Sequence, residues 1–593
     1  MNILKKITVL SAVIWTLSSC HNEPKKQIET VPPNVIIILT DDQGWGDLSS
    51  TGNSNIATPN IDGIAANGLK FNNFFVQPVC SPTRAELLTG IYHTRLGVYS
   101  TSEGGERMKL GVETIADVFQ NSGYATAAYG KWHNGMQPPY HPNNRGFQDF
   151  YGFCSGHWGN YFSPTLEHNG ELVKGNGFLA DDLVTRAIDF IKANKETPFF
   201  LYLPLNTPHS PMQVPDSFYK KFANTSLKLK TSEDEDELFT KAALAMVENI
   251  DYNVGRLLDQ LKKENKLENT IVVFLSDNGP NSVRYNGGLR GIKGSTDEGG
   301  VKTVCYMQWP NSISKKKTVN TIASGIDILP TLATLANIPY NTKALDGRDL
   351  SKSILKTEEI ENRVLFNYWN GGTSVRTQDF RLDHENRLYN MHTDIEQQND
   401  ISDSHQQLKD SLINLKEAWF TLANLKEAKQ QKVHFTLGFP EAKYTQLPAR
   451  DANATGQIKR SNKWPNDSFY TNWVSEKDSI FWPVKVLEDG KFKVVLYYTC
   501  KAANIGTTLK LIAENNELEN AVTESFDPPL VGMEQDKHPR KESYVKDFKA
   551  LPMGQLNLEK GEYNLTLKSP KIVGKQGIDF RLLQFIKVEE NNY

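Results

Sequence analysis

Four short runs of aliphatic and aromatic residues, each followed closely by ionisable side chains, constrain this chain more than any other feature. Val35-Ile36-Ile37-Ile38-Leu39 leads into Thr40-Asp41-Asp42, and Tyr124 to Tyr129 into Gly130-Lys131-Trp132-His133. Phe199 to Leu203 precedes Asn206-Thr207-Pro208-His209, and Ile271 to Leu275 precedes Ser276-Asp277-Asn278-Gly279. An apolar run without alternation is a strand buried on both faces, which requires a sheet covered on both sides. Helical patterns separate the runs: Thr58-Pro59 to a stop at Gly68, Val112 to Ser122, Asp181 to Asn194, and an apolar stripe from Ala242 to Leu261. The alternation predicts an α/β fold with a largely parallel sheet flanked by helices. Ligands of such sheets bind beyond the carboxyl ends of the strands. Four strands delivering ionisable residues to that edge therefore predict one site.

A chain of 593 residues exceeds what one core usually organises. From about residue 362 short strand-like pieces (Val364 to Trp369, Thr373 to Arg376, Phe380 to Asp383, Arg387 to Tyr389) precede a helix from Ser404 to Leu422. This predicts a small α+β subdomain. Beyond a polar stretch the helical signals vanish. Lys491 to Tyr498, Thr507 to Ala513, Glu562 to Lys568 and Phe580 to Val588 alternate as strands. The expected organisation is an α/β domain carrying the site over 31–340, its C-terminal α+β subdomain over 341–425, a connector over 426–454, and an appended β-sandwich, jelly-roll-like, over 455–593. Trp464, Tyr470, Trp473 and Trp482 are expected at the seam between domains, ahead of two other readings, core packing and stacking on sugar rings.

Lys5-Lys6, an apolar stretch from Ile7 to Leu17 and then Leu17-Ser18-Ser19-Cys20 describe a secretory signal. The stretch is short for a membrane span, and its end resembles a bacterial lipobox. Residues 1–19 are thus expected to be a lipoprotein signal peptide, Cys20 the lipidated residue and 20–30 a tether. The expected product is an exported lipoprotein at the periplasmic face or cell surface, touching membrane through its N-terminal lipid only. Lys+Arg 66 against Asp+Glu 69 gives a net charge of −3, so nothing in the charge calls for nucleic acid. With Cys20 and Cys80 assigned elsewhere, Cys154, Cys305 and Cys500 are expected to be mostly buried thiols.

Cys80-Ser81-Pro82-Thr83-Arg84-Ala85-Glu86-Leu87-Leu88-Thr89-Gly90 carries the densest chemistry. Ser81 as cap, Pro82 at the first helical position and Gly90 at the stop predict a short helix with Cys80 at its mouth. A helix N-terminus attracts anions, and Arg84 one turn in can fork onto an oxyanion. A cysteine there suits an activated nucleophile. Asp41, Asp42, Asp277 and Asn278 follow two different strands and form a hard oxygen set, suited to Ca²⁺ or Mg²⁺ rather than zinc or copper.

Together these segments resemble the type I, formylglycine-dependent sulfatases of the alkaline phosphatase superfamily. The resemblance rests on Cys80 to Gly90, Thr40 to Asp47, Gly130 to His133, Pro208-His209-Ser210-Pro211, Ser276 to Gly279 and Gly291-Ile292-Lys293-Gly294-Ser295-Thr296, in the family's order. Leu388-Tyr389-Asn390 to Asp400 resembles a later family segment. The resemblance implies an alkaline-phosphatase-like mixed sheet. It implies that a maturation enzyme oxidises Cys80 to formylglycine, whose hydrated diol attacks sulfur, and that the aldehyde reforms as sulfate leaves. It further implies one Ca²⁺ held by Asp41, Asp42, Asp277 and Asn278 and touching the modified Cys80. Arg84 and Lys131 would balance charge, and His133 would assist the second deprotonation. His209 would be the general acid, and Lys293 would bind sulfate. Two departures stand out: Thr83, where Ser is commoner in bacterial members, and no clear match for a further sulfate-contacting Ser, for which Ser155 is a candidate.

The expected substrate is a sulfated polysaccharide or oligosaccharide, with a macroalgal glycan such as ulvan favoured and carrageenan, fucoidan and animal glycosaminoglycans left open. His141, His157, Trp158, Asn160, Tyr161, Arg284, Tyr285 and Arg290 lie in loops near the active edge and could equally be pocket or packing residues. The alternatives are a phosphoesterase or phosphonate hydrolase of the same superfamily, marked by a Ser or Thr nucleophile or a two-metal His/Asp site, and an inactive glycan-binding lipoprotein.

Overall fold

The computed structural model describes residues 31–356, 358, 360–423, 429–430 and 432–589. The expected signal peptide, Cys20 and the tether lie outside the described residues. Among those described, no helix is long and apolar enough to cross a membrane.

The centre is a mixed sheet of β1 (Asn34–Thr40), β2 (Leu69–Phe75), β3 (Ala125–Lys131), β4 (Asp149–Phe153), β5 (Thr165–His168), β6 (Glu171–Lys174), β7 (Phe199–Pro204), β8 (Thr270–Ser276), β9 (Lys302–Gln308), β10 (Lys317–Val319) and β11 (Ala323–Ser324). The order is β10-β2-β9-β8-β1-β7-β3-β4-β5-β6, with β11 also on β2. The five strands β8-β1-β7-β3-β4 are mutually parallel. Antiparallel pairs lie outside them. Helices α1 (Pro59–Ala66), α2 (Cys80–Thr89), α3 (Ile115–Asn121), α4 (Leu179–Ala193), α5 (Asp216–Ala223) and α6 (Glu237–Lys263) connect the strands. Ile36 and Ile38 of β1 pack with Ile61, Leu183 and Leu257 on one face. Val35, Ile37 and Leu39 pack with Leu88 and Ile115 on the other. Each such side chain contributes roughly 1.5–3 kcal/mol by leaving water, which is why β1 reads as unbroken hydrophobicity.

Two helix starts differ from expectation. Helix α3 begins at Ile115 because Thr114 forms a capping box with Asp117. Helix α2 begins at Cys80, with extended Val79 before it, so Ser81 is not the cap; Gly90 does end it, in the left-handed region at φ +70.

Strands Leu365–Trp369, Gly372–Arg376, Phe380–Leu382 and Leu388–Asn390 form an antiparallel sheet, and the helix Gln406–Ala423 packs on it. The sheet is tied to the central α/β domain through Glu298, whose Oε2 accepts from Arg381 Nε at 2.8 Å and Arg376 Nε at 3.3 Å. Burial alone would raise the Glu298 carboxyl; Arg376 and Arg381 outweigh it and hold it at about 2, below its ordinary 4.5. A carboxylate depressed by folding contributes stability that is complete above about 4.5 and lost as pH falls toward 2, here of the order of 3 kcal/mol. The stability gap between wild type and Glu298→Gln should therefore narrow by about that amount between pH 6 and pH 2. Denaturant midpoints measured across that range check it, and a constant gap contradicts it.

The C-terminal region is a β-sandwich of two sheets around one apolar core. It starts earlier than expected. Phe435–Leu437 pairs with Val484 to Val486, and Tyr444–Pro448 pairs with Leu582 to Ile586. The stretch read as a connector over 426–454 thus supplies strands to both sheets. These strands are too short to show alternation, and Lys, Gln and Pro around them mask the pattern. The aromatics also need correcting. Trp473 and Trp482 are fully buried in the sandwich core beside Tyr470, and Trp482 Nε1 donates to Pro448 O at 3.2 Å. Trp464 is half exposed. The seam is polar instead: Arg450 on Glu106 at 2.9 Å, Gln137 on Asp451 at 2.9 Å, and Arg581 over the Trp158 ring at 5.5 Å. Cys154, Cys305 and Cys500 are free, buried thiols, as expected, and Cys80 is buried as well.

Candidate active site

The register of β1 against β8 assembles the centre of the site. Thr40 pairs with Ser276, so Asp41-Asp42 and Asp277-Asn278 leave the sheet side by side. Asp42 N donates to Asp277 Oδ1 at 3.2 Å, and Asn278 Nδ2 to Asp42 Oδ1 at 2.8 Å. Helix α2 brings Cys80 to the same point, with the ligand atoms of Asp41, Cys80 and Asp277 mutually within 4.8 Å. The Thr83 hydroxyl accepts from Gln77 N at 2.9 Å and donates to Gln77 O at 3.2 Å, which fixes the chain entering the helix. This accounts for a hydroxyl residue at that position.

Three cations answer the three carboxylates. Arg84 forks onto Asp277 Oδ2 through Nε at 3.1 Å and Nη2 at 2.8 Å, and its Nη1 donates to Lys131 O at 2.7 Å. Lys131 Nζ lies 2.7 Å from Asp41 Oδ2, and Lys293 Nζ 2.7 Å from Asp42 Oδ1. Burial pushes the Asp41 carboxyl up to about 6, with Lys131 opposing and Asp42 reinforcing. Burial and then Asp41 push Asp277 up to about 6 as well. Burial would also raise Asp42, but Lys293 and then His209 hold it well below the usual range.

The donor set passes a test for a divalent cation. Asp41 Oδ1 and Asn278 Oδ1 are buried without a hydrogen-bond partner. Two oxygens in that condition, beside two further carboxylates, are what an oxygen-coordinated ion would satisfy. Asp41, Asp42, Asp277 and Asn278 are the residues that could hold it.

The histidines complete the site. His133, at φ +65, commits Nε2 to Thr101 O at 2.8 Å and leaves a buried Nδ1 without partner. Burial and then Lys131 hold it neutral, well below the usual histidine range. His209 uses Nδ1 on Ser210 O at 2.6 Å, and its Nε2 lies 3.6 Å from Asp42 Oδ2. His157 stacks on His209 with ring centres 6.0 Å apart, and its Nε2 is buried without partner. Sequence reading left His157 open between pocket and packing and gave it no catalytic part. The available signal was its place just after β4, which runs parallel to β3 with Lys131 opposite Phe153. Any segment leaving β4 reaches the edge occupied by Lys131 and His133.

Other loop candidates have structural duties. Arg284 donates to Asp47 and to Asp42 O, Arg290 ties Asp297 to Asp383, and Tyr285 OH reaches Thr51 O. Asn160 Nδ2 donates to Phe162 O, and Trp158 is sandwiched between Phe153 and Arg581. Tyr161 OH donates to His209 O and Ser210 O at 3.0 Å. The candidate sulfate contact Ser155 is occupied at the seam: its Oγ donates to Asn466 Oδ1 and accepts from Arg450 Nη1, both at 3.0 Å. His141 lies near Cys154 and Glu167. Its Nδ1 accepts from Asn143 N at 3.3 Å, which places the ring proton on Nε2 and leaves no lone pair there for a metal.

Residues 33–338, just over half of the chain, match the sulfatase family model. The chain belongs to the sulfatase family, within the alkaline phosphatase superfamily, and is a sulfuric ester hydrolase. N-acetylgalactosamine-6-sulfatase of Mus musculus is 30% identical over 379 residues, covering 58% of this chain and 69% of that protein. Human arylsulfatase A is 33% identical over 376 residues, covering 57% and 70%. A crystal structure of Ps i-CgsB in complex with k-i-k-neocarrahexaose aligns with a TM-score of 0.62 at 31% identity, covering 67% of this chain and 94% of that one.

Proposed function

We propose that this sulfatase removes sulfate from a sulfated polysaccharide or oligosaccharide, with Cys80 matured to formylglycine and one Ca²⁺ at Asp41, Asp42, Asp277 and Asn278. The observation that carries the reading is Cys80 at the mouth of α2, within 4.8 Å of Asp41 and Asp277, which pair with Lys131 and Arg84, with Lys293 on the adjacent Asp42. The glycan class is supported by likeness to N-acetylgalactosamine-6-sulfatase and to the Ps i-CgsB complex. A macroalgal glycan, ulvan among the candidates, is the proposed source. Export with a lipid on Cys20 would place the enzyme where such polymers are met.

A divalent cation would act here as a Lewis acid toward a sulfate oxygen, and the oxidised Cys80 would supply the nucleophilic oxygen. The chain's own groups do the rest. Arg84 and Lys131 hold the carboxylates charged and in place. Lys293 Nζ, partly exposed beside Asp42, meets a sulfate oxygen. The free Nδ1 of neutral His133 accepts a proton. His209 presents Nε2 to the leaving oxygen, and an anionic substrate beside it favours the imidazolium that can donate.

The test is sulfate release from defined sulfated oligosaccharides by protein made with a maturation enzyme, against matched phosphate esters. Faster phosphate release would overturn the reading in favour of a phosphoesterase. Peptide mass spectrometry across Cys80 should show loss of sulfur and gain of an aldehyde; an unmodified thiol in active protein would refute the maturation. Chelation should remove activity, and Ca²⁺ should restore it better than Zn²⁺. Independently of turnover, Ca²⁺ at about 100 times its Kd should stabilise the folded protein by about 2.7 kcal/mol, an effect read as a Tm rise and absent in Asp277→Asn. No Tm response in the metal-stripped wild type would remove the metal from the scheme.

A further inference from the structure

The appended sandwich reaches into the catalytic pocket. Its long excursion between strands Asn516–Ala521 and Lys549–Leu558 crosses the seam and grips the loop that carries His209. Lys537 N donates to Met212 O at 2.9 Å. Gln213 Nε2 donates to Gly532 O and to Asp536 Oδ1, both at 2.9 Å. Gly532, at φ +97, permits this approach, because a Cβ there would lie 2.9 Å from Gln213 Nε2. At the end of the excursion a Glu542 oxygen accepts the hydrogen bond of Ser210 Oγ, and its other oxygen accepts from Lys541 N at 3.1 Å. Ser210 in turn holds His209, whose Nδ1 bonds the Ser210 carbonyl at 2.6 Å.

We propose that Glu542 is a positioning residue for His209, so that the sandwich completes the active site. The carboxylate pins the Ser210 side chain, Ser210 O fixes the imidazole through Nδ1, and Nε2 is thereby aimed beside Asp42 into the pocket. Glu542 needs no contact with substrate for this. A one-bond tether matters because a small misplacement of a reacting group is costly in rate. The proposal rests on the reading of His209 as a group that acts on the substrate.

The experiment compares kcat and KM of wild type, Glu542→Ala, Glu542→Gln, Ser210→Ala, His209→Ala and the double variant His209→Ala/Glu542→Ala. The substrates are an activated nitrophenyl sulfate and a sulfated oligosaccharide. Glu542→Ala should lower kcat on the oligosaccharide roughly tenfold to a hundredfold, with KM nearly unchanged. Glu542→Gln should recover most of the loss, because its carboxamide oxygen accepts the same bond. Ser210→Ala leaves the sandwich intact and should lose Glu542's hold on the loop, so it should show the same kcat loss. In the double variant the Glu542 effect should vanish, since it acts through His209. An undiminished Glu542 loss in the His209→Ala background overturns the proposal. So does wild-type kcat in both Glu542→Ala and Ser210→Ala. If His209→Ala proves equally harmful on both substrates, the general-acid reading fails, yet the double variant still reports whether Glu542 works through that ring. A drop in Tm with equal losses on both substrates and no rescue by Gln would reduce Glu542 to a merely structural contact and overturn the positioning role.

Discussion

Cys80→Ala protein is expected to fold normally and to lose sulfate release by about 10⁴-fold or more, the scale on which removing a nucleophile acts. The side chain is small, 3% exposed and makes no hydrogen bond that organises α2, which is held by Thr83 on Gln77 and by Arg84 on Asp277 and Lys131 O. Its loss leaves at most a small cavity, so Tm should fall by only a few degrees. Near-normal turnover by folded, maturation-treated Cys80→Ala would sink the proposal that Cys80 carries the nucleophile. Arg84→Ala is a poorer probe, because it strips a buried Asp277 of its partner and endangers the fold.

The second large effect concerns the leaving group. A sugar alkoxide departs badly without a proton, and general acid help is worth ~10²–10⁴-fold; a nitrophenolate departs without it. His209→Ala should therefore cripple desulfation of an oligosaccharide much more than that of an activated aryl sulfate. Lys293→Ala should behave differently, since both substrates carry the sulfate that its ammonium group meets, and both should suffer alike. The structure gives the two residues one shared neighbour, Asp42, with Lys293 at 2.7 Å and His209 at 3.6 Å. The contrast is thus between a strongly held charge and a ring with a free nitrogen. Equal losses for His209→Ala on both substrates would assign it to sulfate binding and send the search for the acid elsewhere.

Much of the site was legible because β-strands end where they must. Asp41, Lys131, His209 and Asp277 were readable from apolar runs that stop at ionisable residues, and the structure puts all four at one edge. What sequence could not show was which loops turn inward. His157 and Arg284 both belong to polar, glycine-bearing loops, yet one ring stacks on His209 while the other side chain spends its donors on Asp47 and Asp42 O. Ser155 failed as a sulfate contact for a related reason: its hydroxyl is claimed by Asn466 and Arg450, 311 and 295 positions away. Pattern reports periodicity within an element, whereas the fate of a loop side chain depends on long-range partners. The early strands of the sandwich were hidden similarly, being too short to alternate.

The position of β1 at the middle of the sheet has a consequence for how the chain reaches this state. Its partners are β7, with Asn34 bonded to Phe199 across 165 positions, and β8, with Asn34 bonded to Thr270 across 236. β1 is therefore enclosed on both edges only once β8, 236 positions further along the chain, has been made. Until β8 arrives, a β-branched segment keeps at least one open edge, which is a template for pairing with other chains. Closing gaps of that length delays the reward for ordering, so folding should be slow and its committed step should wait for β8. Asp41 and Asp277 lie on opposite sides of that closure, and the centre that does the chemistry can exist only once the chain has passed it.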